Sequence, residues 1–173
     1  MGSEAQPARA SRLAALYSQH AAAGLRLAYF LTGDRAVAED IVQEAFARVI
    51  GRWRDIRQPE TFGAYLRRTI VNLSRSHGRR RVVERAYLLK HGARPAAVAR
   101  IPDVEGRDAL WRALMQLPER QRAALFLHYY EDLSEQQVAE TLECSVGAAK
   151  ALVARGLARL RAHVEVTGVR PGE

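Results

Sequence analysis

Residues 133–150 read Leu133-Ser134-Glu135-Gln136-Gln137-Val138-Ala139-Glu140-Thr141-Leu142-Glu143-Cys144-Ser145-Val146-Gly147-Ala148-Ala149-Lys150, two short amphipathic helices joined by a tight turn. Val138, Ala139 and Leu142 give the first helix one apolar face, and Ser145 stands where a hydroxyl N-cap opens the second. Val146, Ala149, Val153 and Leu160 then follow at helical spacing. The pattern is a helix-turn-helix. Charge is segregated across it: 131–143 holds five carboxylates and no base, whereas Lys150, Arg155, Arg159 and Arg161 follow with no acidic residue between them. A cationic second helix beside an acidic first one suits insertion into a DNA major groove.

The rest of the chain fits a polyanionic partner. The 173 residues carry 27 Lys and Arg against 19 Asp and Glu, a net charge of +8. The excess is concentrated early: residues 1–82 hold 14 basic and 7 acidic side chains, and residues 108–173 hold 8 and 9. This unequal map favours two small domains over one. Cys144 is the only cysteine, which excludes an intramolecular disulfide or a cysteine-based metal site and gives no argument for secretion. At this position it reads as a small residue filling the turn. No apolar run approaches the ~20 residues needed to span a bilayer, and residues 1–12 lack a signal-peptide core, so a cytoplasmic protein without membrane insertion is expected. No phosphate-binding glycine loop, metal-ligand cluster or nucleophile elbow is present, and neither a cofactor nor a metal is expected.

Helical periodicity dominates and no strand alternation appears, which predicts an all-α fold. Residues 11–32 form a first helix, with Gly24 as its weak point, ending at Thr32-Gly33-Asp34. A second covers 35–52, with Val37, Ile41, Ala45, Val49 and the adjacent Val42, Phe46, Ile50 inward, leaving Glu39, Asp40, Gln43 and Glu44 outward. An irregular link, 53–60, precedes a third helix that buries Phe62, Tyr65, Leu66, Thr69, Ile70 and Leu73. Its exposed side aligns Arg68, Asn72, Arg75 and Arg79 as a basic ridge. Gly92, Pro95, Pro102 and Gly106 punctuate 83–107, which reads as a flexible linker. Beyond it, 108–117 turns Leu110, Trp111 and Leu114 inward. A helix over 118–131 follows, with Pro118 at its first position and Ala123, Leu125, Phe126 and one of Tyr129 or Tyr130 buried. The domains predicted are 11–82 and 108–164.

Four segments in this order resemble group IV, or extracytoplasmic-function, sigma factors of bacterial RNA polymerase. They are Ala38-Glu39-Asp40-Ile41-Val42-Gln43-Glu44-Ala45-Phe46; Phe62-Gly63-Ala64-Tyr65-Leu66-Arg67-Arg68-Thr69-Ile70-Val71-Asn72-Leu73 followed by Arg79-Arg80-Arg81; Leu117-Pro118-Glu119-Arg120-Gln121-Arg122; and the helix-turn-helix with Arg159-Leu160-Arg161. The Asn72-Leu73-Ser74-Arg75-Ser76 version looks most like an actinobacterial branch. Two departures stand out. Glu143 occupies a turn where many members have glycine, and Leu152 and Leu157 lie where many have arginine.

The resemblance implies two partners, core RNA polymerase and promoter DNA, and allows a third, an anti-sigma protein. It assigns polymerase docking to Glu39, Asp40, Gln43 and Glu44. It assigns the minus-ten element and its opening to Arg54, Asp55 and Arg57 in a base-capturing loop and to Arg67, Arg68, Asn72, Arg75, Arg79, Arg80 and Arg81. The minus-thirty-five element falls to Ser145, Ala148, Lys150, Leu152, Arg155 and Arg159, where the cations touch phosphates and Ala148 and Leu152 suit thymine methyls. Simpler roles stand beside several of these: Trp53 as core packing, His77 as incidental, and Arg159 and Arg161 as cations at a helix C-terminus. The alternative function is a stand-alone helix-turn-helix regulator that binds duplex DNA without polymerase, although this leaves the early basic ridge and acidic patch without a task. An enzyme such as a recombinase, with Tyr129 or Tyr130 as nucleophile, lacks the accompanying His, Arg and carboxylate set, and no catalytic residue is expected.

Overall fold

The computed structural model describes residues 5–52, 61–90 and 107–167, and every regular element in them is helical. The chain divides into two compact units, residues 1–80 and 81–173. In the first, α1 (Ala5–Thr32) and α2 (Arg35–Gly51) pack side by side and α3 (Phe62–Lys90) completes a small core. Asp34 starts α2 from an extended backbone, its carboxylate accepting the Val37 N–H at 3.2 Å. Ala38, Ile41, Val42, Ala45, Phe46 and Val49 form the buried face of α2, as its periodicity implies. Leu27, Phe62 and Ile70 are at most 1% exposed, and each such side chain contributes roughly 1.5–3 kcal/mol by leaving water. Gly24 strengthens this core: it is buried, and Ile70 Cδ1 lies 3.1 Å from where a Cβ would stand, so its small size lets α1 approach α3.

Three boundaries or faces differ from the sequence expectation here. α1 starts at Ala5 instead of residue 11. α3 does not stop at 82 but continues to Lys90, so eight residues expected in a flexible linker are helical. Tyr65 is 50% exposed and Thr69 half-buried, because the core arc of α3 is centred on Phe62, Leu66, Ile70, Leu73 and Ser74 and turns the Tyr65 edge outward. Residues 53–60, including Trp53, and residues 91–106 lie outside the described residues.

The second unit is organised around α5 (Glu119–Leu125), which packs against α7 (Val146–Thr167). Gln121 through Leu127 are all buried, including two polar side chains. Pro118 is the N-cap residue and not the first helical one. Arg122 is 9% exposed, and its Nη1 donates to the carbonyls of Leu114, Met115 and Leu117 at 3.4, 3.1 and 3.4 Å. It thereby caps the C-terminal end of α4 (Arg107–Gln116). Burial pushes the Arg122 guanidinium below the usual arginine value, and Glu119 opposes that shift. Leu110 is 42% exposed, and Ala113 and Leu117 are buried in its place.

The helix expected over 118–131 changes pitch. Phe126–Tyr130 form a π-helical turn, with the Glu131 N–H donating to the Phe126 carbonyl at 3.1 Å. Tyr129 and Tyr130 are 61% and 59% exposed where one of them was expected in the core, and Tyr130 stacks on the buried Phe126 ring with centroids 4.6 Å apart. Asp132, at φ 52°, then reverses the chain into α6 (Glu135–Leu142). A capping box opens α6: Ser134 Oγ accepts the Gln137 N–H at 3.3 Å, and Gln137 Oε1 accepts the Ser134 N–H at 2.9 Å.

The α6–α7 turn is made without glycine. Glu143 adopts a left-handed conformation, φ 52° and ψ 55°, after which the Cys144 N–H donates to the Ala139 carbonyl at 3.0 Å. Ser145 caps α7, accepting the Ala148 N–H at 3.2 Å. Arg120 completes the corner from α5, donating to the Leu142 carbonyl at 3.0 Å.

Two stability tests follow from these geometries. A Cβ on Gly156 would lie 3.2 Å from the Gln121 carbonyl oxygen and 3.1 Å from Leu125 Cγ, so α7 would have to move off α5. Gly156→Ala is therefore expected to destabilise by about 1–2 kcal/mol despite its better helix propensity. Gly147→Ala, where nothing lies within 4 Å, is expected to be neutral or mildly stabilising; urea melts followed by far-ultraviolet circular dichroism check the pair. In the same assay Glu143→Gly is expected to stabilise by roughly 0.5–1 kcal/mol, since it relieves a left-handed backbone at a β-carbon-bearing residue.

Candidate nucleic-acid interface

Three solvent-facing surfaces carry the residues singled out from the sequence. On α2, Glu39, Asp40, Gln43 and Glu44 are all exposed on the arc opposite the buried row. Arg35 Nε pairs with Glu39 at 2.9 Å and Arg48 pairs with Glu44, each one helical turn away. Asp40 has no ion pair among the described residues. Half-exposed pairs of this kind hold their partners weakly, so the face remains able to exchange them for cations on another molecule.

On α3, helical phase decides which arginines reach solvent. At about 100° per residue, Arg68, Asn72, Arg75 and Arg79 share one arc, with Arg68, Arg75 and Arg79 exposed and Asn72 half-buried. Arg79 Nη2 donates to Ser76 Oγ at 3.4 Å. Arg80 and Arg81 are exposed farther along. Arg67 is different. It falls on the core arc, is half-buried with its Nε out of water, and stands by Gly63 and the His20 ring of α1. That ring packs against Phe62 with centroids 5.3 Å apart. Burial and the Arg67 charge together push the His20 pKa down, which favours the neutral imidazole beside the guanidinium.

Tyr65, expected in the core, joins the ridge instead. Its phase puts it next to Arg68 and Asn72 on the exposed arc, giving the cations an aromatic neighbour. Sequence reasoning placed it in the core because Tyr65 fits an i+3 stripe from Phe62. Its distinguishing signal was that no apolar residue continues its own row at 68 and 72. Arg54, Asp55 and Arg57 lie outside the described residues.

On α7 the cations do not form a single stripe. Lys150 and Arg161 fall on one flank, while Arg155 and Arg159 lie with Ala148 on another, more than a quarter-turn away. Lys150 reaches α6, where its Nζ meets Glu135 Oε2 at 2.9 Å with the side chains 58% and 42% exposed. Arg155 and Arg159 are exposed, Ala148 and Leu152 are half-buried, and the Ser145 hydroxyl is engaged as the helix cap. Among the described residues no group of three or more His, Cys, Asp or Glu is placed to hold a metal ion, and no helix is long and apolar enough to cross a membrane.

Comparison with known proteins assigns both units. Residues 16–82 match the family described as Sigma-70 region 2, and residues 107–160 match Sigma-70, region 4. The RNA polymerase sigma-E factor of Streptomyces coelicolor is 34% identical over 137 residues, covering 79% of this chain and 77% of that protein. The ECF RNA polymerase sigma factor SigL of Mycobacterium tuberculosis is 34% identical over 183 aligned positions, covering 96% of this chain and 97% of that one. Among solved structures, the sigma factor RpoE of Bartonella quintana, in complex with the anti-sigma factor NepR, shares the fold with a TM-score of 0.72 at 24% identity, over 87% of this chain and 94% of that chain. The two helical units, their order and these relatives establish that the chain belongs to the extracytoplasmic-function group of sigma-70 family RNA polymerase sigma factors, which act in transcription initiation.

Proposed function

We propose that this sigma factor divides its work among the three surfaces. Residues 11–82 dock on core RNA polymerase and open the minus-ten element, residues 108–164 read the minus-thirty-five element, and 83–107 joins them. Glu39, Asp40, Gln43 and Glu44 form the docking face, with Asp40 the carboxylate most ready to pair because no cation among the described residues holds it. Charge pairs in such a contact mainly set orientation and association rate.

Arg68, Asn72, Arg75, Arg79, Arg80 and Arg81 hold the separating strands, the guanidinium groups on phosphates and the Asn72 amide on a base edge. Tyr65 supplies a face on which an unpaired base stacks. Arg67 supports this surface from beneath, through its packing at Gly63 and His20. Arg54, Asp55 and Arg57 belong to the base-capturing loop. On α7, Arg155 and Arg159 bind phosphates and Ala148 meets a base edge, with Ser145 and Leu152 beside it, while Lys150 meets phosphate from the other flank. The observation that carries the proposal is the partition of charge by helix: α2 turns Glu39, Asp40 and Glu44 to solvent with only Arg35 and Arg48 beside them, while α3 turns Arg68, Arg75, Arg79, Arg80 and Arg81 to solvent together with Tyr65.

The chain acts in the cytoplasm, without catalytic activity or cofactor of its own. Its partners are core polymerase and promoter DNA, and an anti-sigma protein is proposed by analogy with the complex described for the Bartonella sigma factor. Run-off transcription with core polymerase on genomic fragments tests the whole proposal: initiation must depend on this chain. A footprint on duplex DNA from the chain alone, with no such initiation, supports a stand-alone regulator instead.

Two variants separate the surfaces. Asp40→Arg is expected to weaken holoenzyme formation about tenfold or more, measured by fluorescence anisotropy against core enzyme; an unchanged affinity removes α2 from the docking face. Arg68→Ala with Arg75→Ala is expected to lower permanganate reactivity of the opened promoter roughly tenfold while core binding stays at the wild-type level. If core binding is lost instead, the ridge has been given the wrong partner.

A further inference from the structure

The Glu135–Lys150 ion pair connects the two helices of the helix-turn-helix at the foot of the recognition helix, and nothing in the docking or reading roles above accounts for Glu135. We propose that Glu135 is a built-in competitor for DNA phosphate: it occupies Lys150 in the free protein and keeps the affinity of this domain for duplex DNA low. The inference rests on the reading of α7 as the minus-thirty-five helix.

Two features place the carboxylate as a fixed competitor. Glu135 is the first residue of α6, directly after Ser134, whose capping box with Gln137 clamps the helix start through bonds of 3.3 and 2.9 Å. The backbone carrying the carboxylate is therefore rigid. Lys150 belongs to the first two turns of α7, the part of a recognition helix that approaches the groove, and its long side chain is the mobile partner. With Nζ 2.9 Å from Glu135 Oε2, it must give up that contact or share it when a phosphate arrives.

The electrostatic consequence is specific. A phosphate that captures Lys150 releases a condensed counterion, but the carboxylate left behind recruits a cation and also faces the DNA backbone. Lys150 then adds almost nothing to the net salt dependence, where a free lysine on a phosphate adds about 0.9 to the slope of log K against log salt. Arg155 and Arg159, on the other flank without an acidic residue in their turn, are not offset in this way. The domain consequently binds weakly alone. It engages its element when the rest of the holoenzyme holds it nearby at high effective concentration.

The test uses the full-length chain with core polymerase on a duplex promoter fragment identified by run-off transcription, with affinity measured across a salt series. Glu135→Gln is expected to tighten binding about three- to tenfold at low salt and to steepen the slope by about one. Lys150→Met with Glu135 intact is expected to leave the slope nearly unchanged, and the double variant to return the slope of Glu135→Gln to the wild-type value. Glu135→Gln binding that is unchanged or weaker overturns the proposal, the weaker result making Glu135 a residue that positions Lys150 for DNA. Arg155→Ala tests the underlying reading separately. If it leaves affinity unaltered in every background, α7 does not bind the element at all, and the assignment of the recognition helix is overturned along with the competitor.

Discussion

The second unit depends on two guanidinium groups carried by one buried helix. Arg122 inserts into the core and collects three carbonyls from the end of α4, and Arg120, two residues earlier, takes the Leu142 carbonyl at the end of α6. Helix ends leave carbonyls without intrahelical donors, and burying them unsatisfied is unfavourable. By supplying those donors, α5 ties its neighbours to itself at both ends, so the corner between α6 and α7 is held at a fixed place. A recognition helix needs that rigidity, because base-edge contacts tolerate little displacement. In a basic chain these two arginines look like DNA-binding groups, and they are structural.

The same distinction between charge that supports and charge that faces solvent runs through the first unit. Arg67 and Arg68 are neighbours in sequence and about 100° apart around α3. One stands by Gly63 and the His20 ring, and the other joins the ridge. The adjacent Tyr65 moves the opposite way, out of the predicted core and into the company of Arg68 and Asn72. A ridge of cations next to an exposed aromatic combines phosphate affinity with a stacking surface, the pairing that single-stranded nucleic acid requires.

Left-handed backbone at Glu143 marks a different compromise. Glycine would adopt that conformation without steric penalty, yet the turn keeps a carboxylate, adding to an acidic α6 whose first residue already binds Lys150. Under the competitor proposal the helix-turn-helix gives up some stability and some DNA attraction together. Both losses suit a domain that works while tethered to a larger assembly and gains little from binding strongly alone.

Helix content, the split into two charge-distinct halves, the α2 core face, the Ser145 cap and the family motifs were all legible in the sequence, because each is a local property. Periodicity reports burial when one face of a helix meets one partner, as α2 does. It fails for α5, surrounded on several sides, where Gln121 and Arg122 are buried with the apolar residues. It also fails at Phe126–Tyr130, a π-helical segment in which Tyr129 and Tyr130 are both exposed. Residue chemistry alone determined that this chain is helical, carries a helix-turn-helix and segregates its charge. Only tertiary structure decided which arginines cap helices and which meet solvent, that Lys150 is engaged by Glu135, and that Gly156 is the contact point of α5 and α7, since each depends on a neighbour distant in sequence.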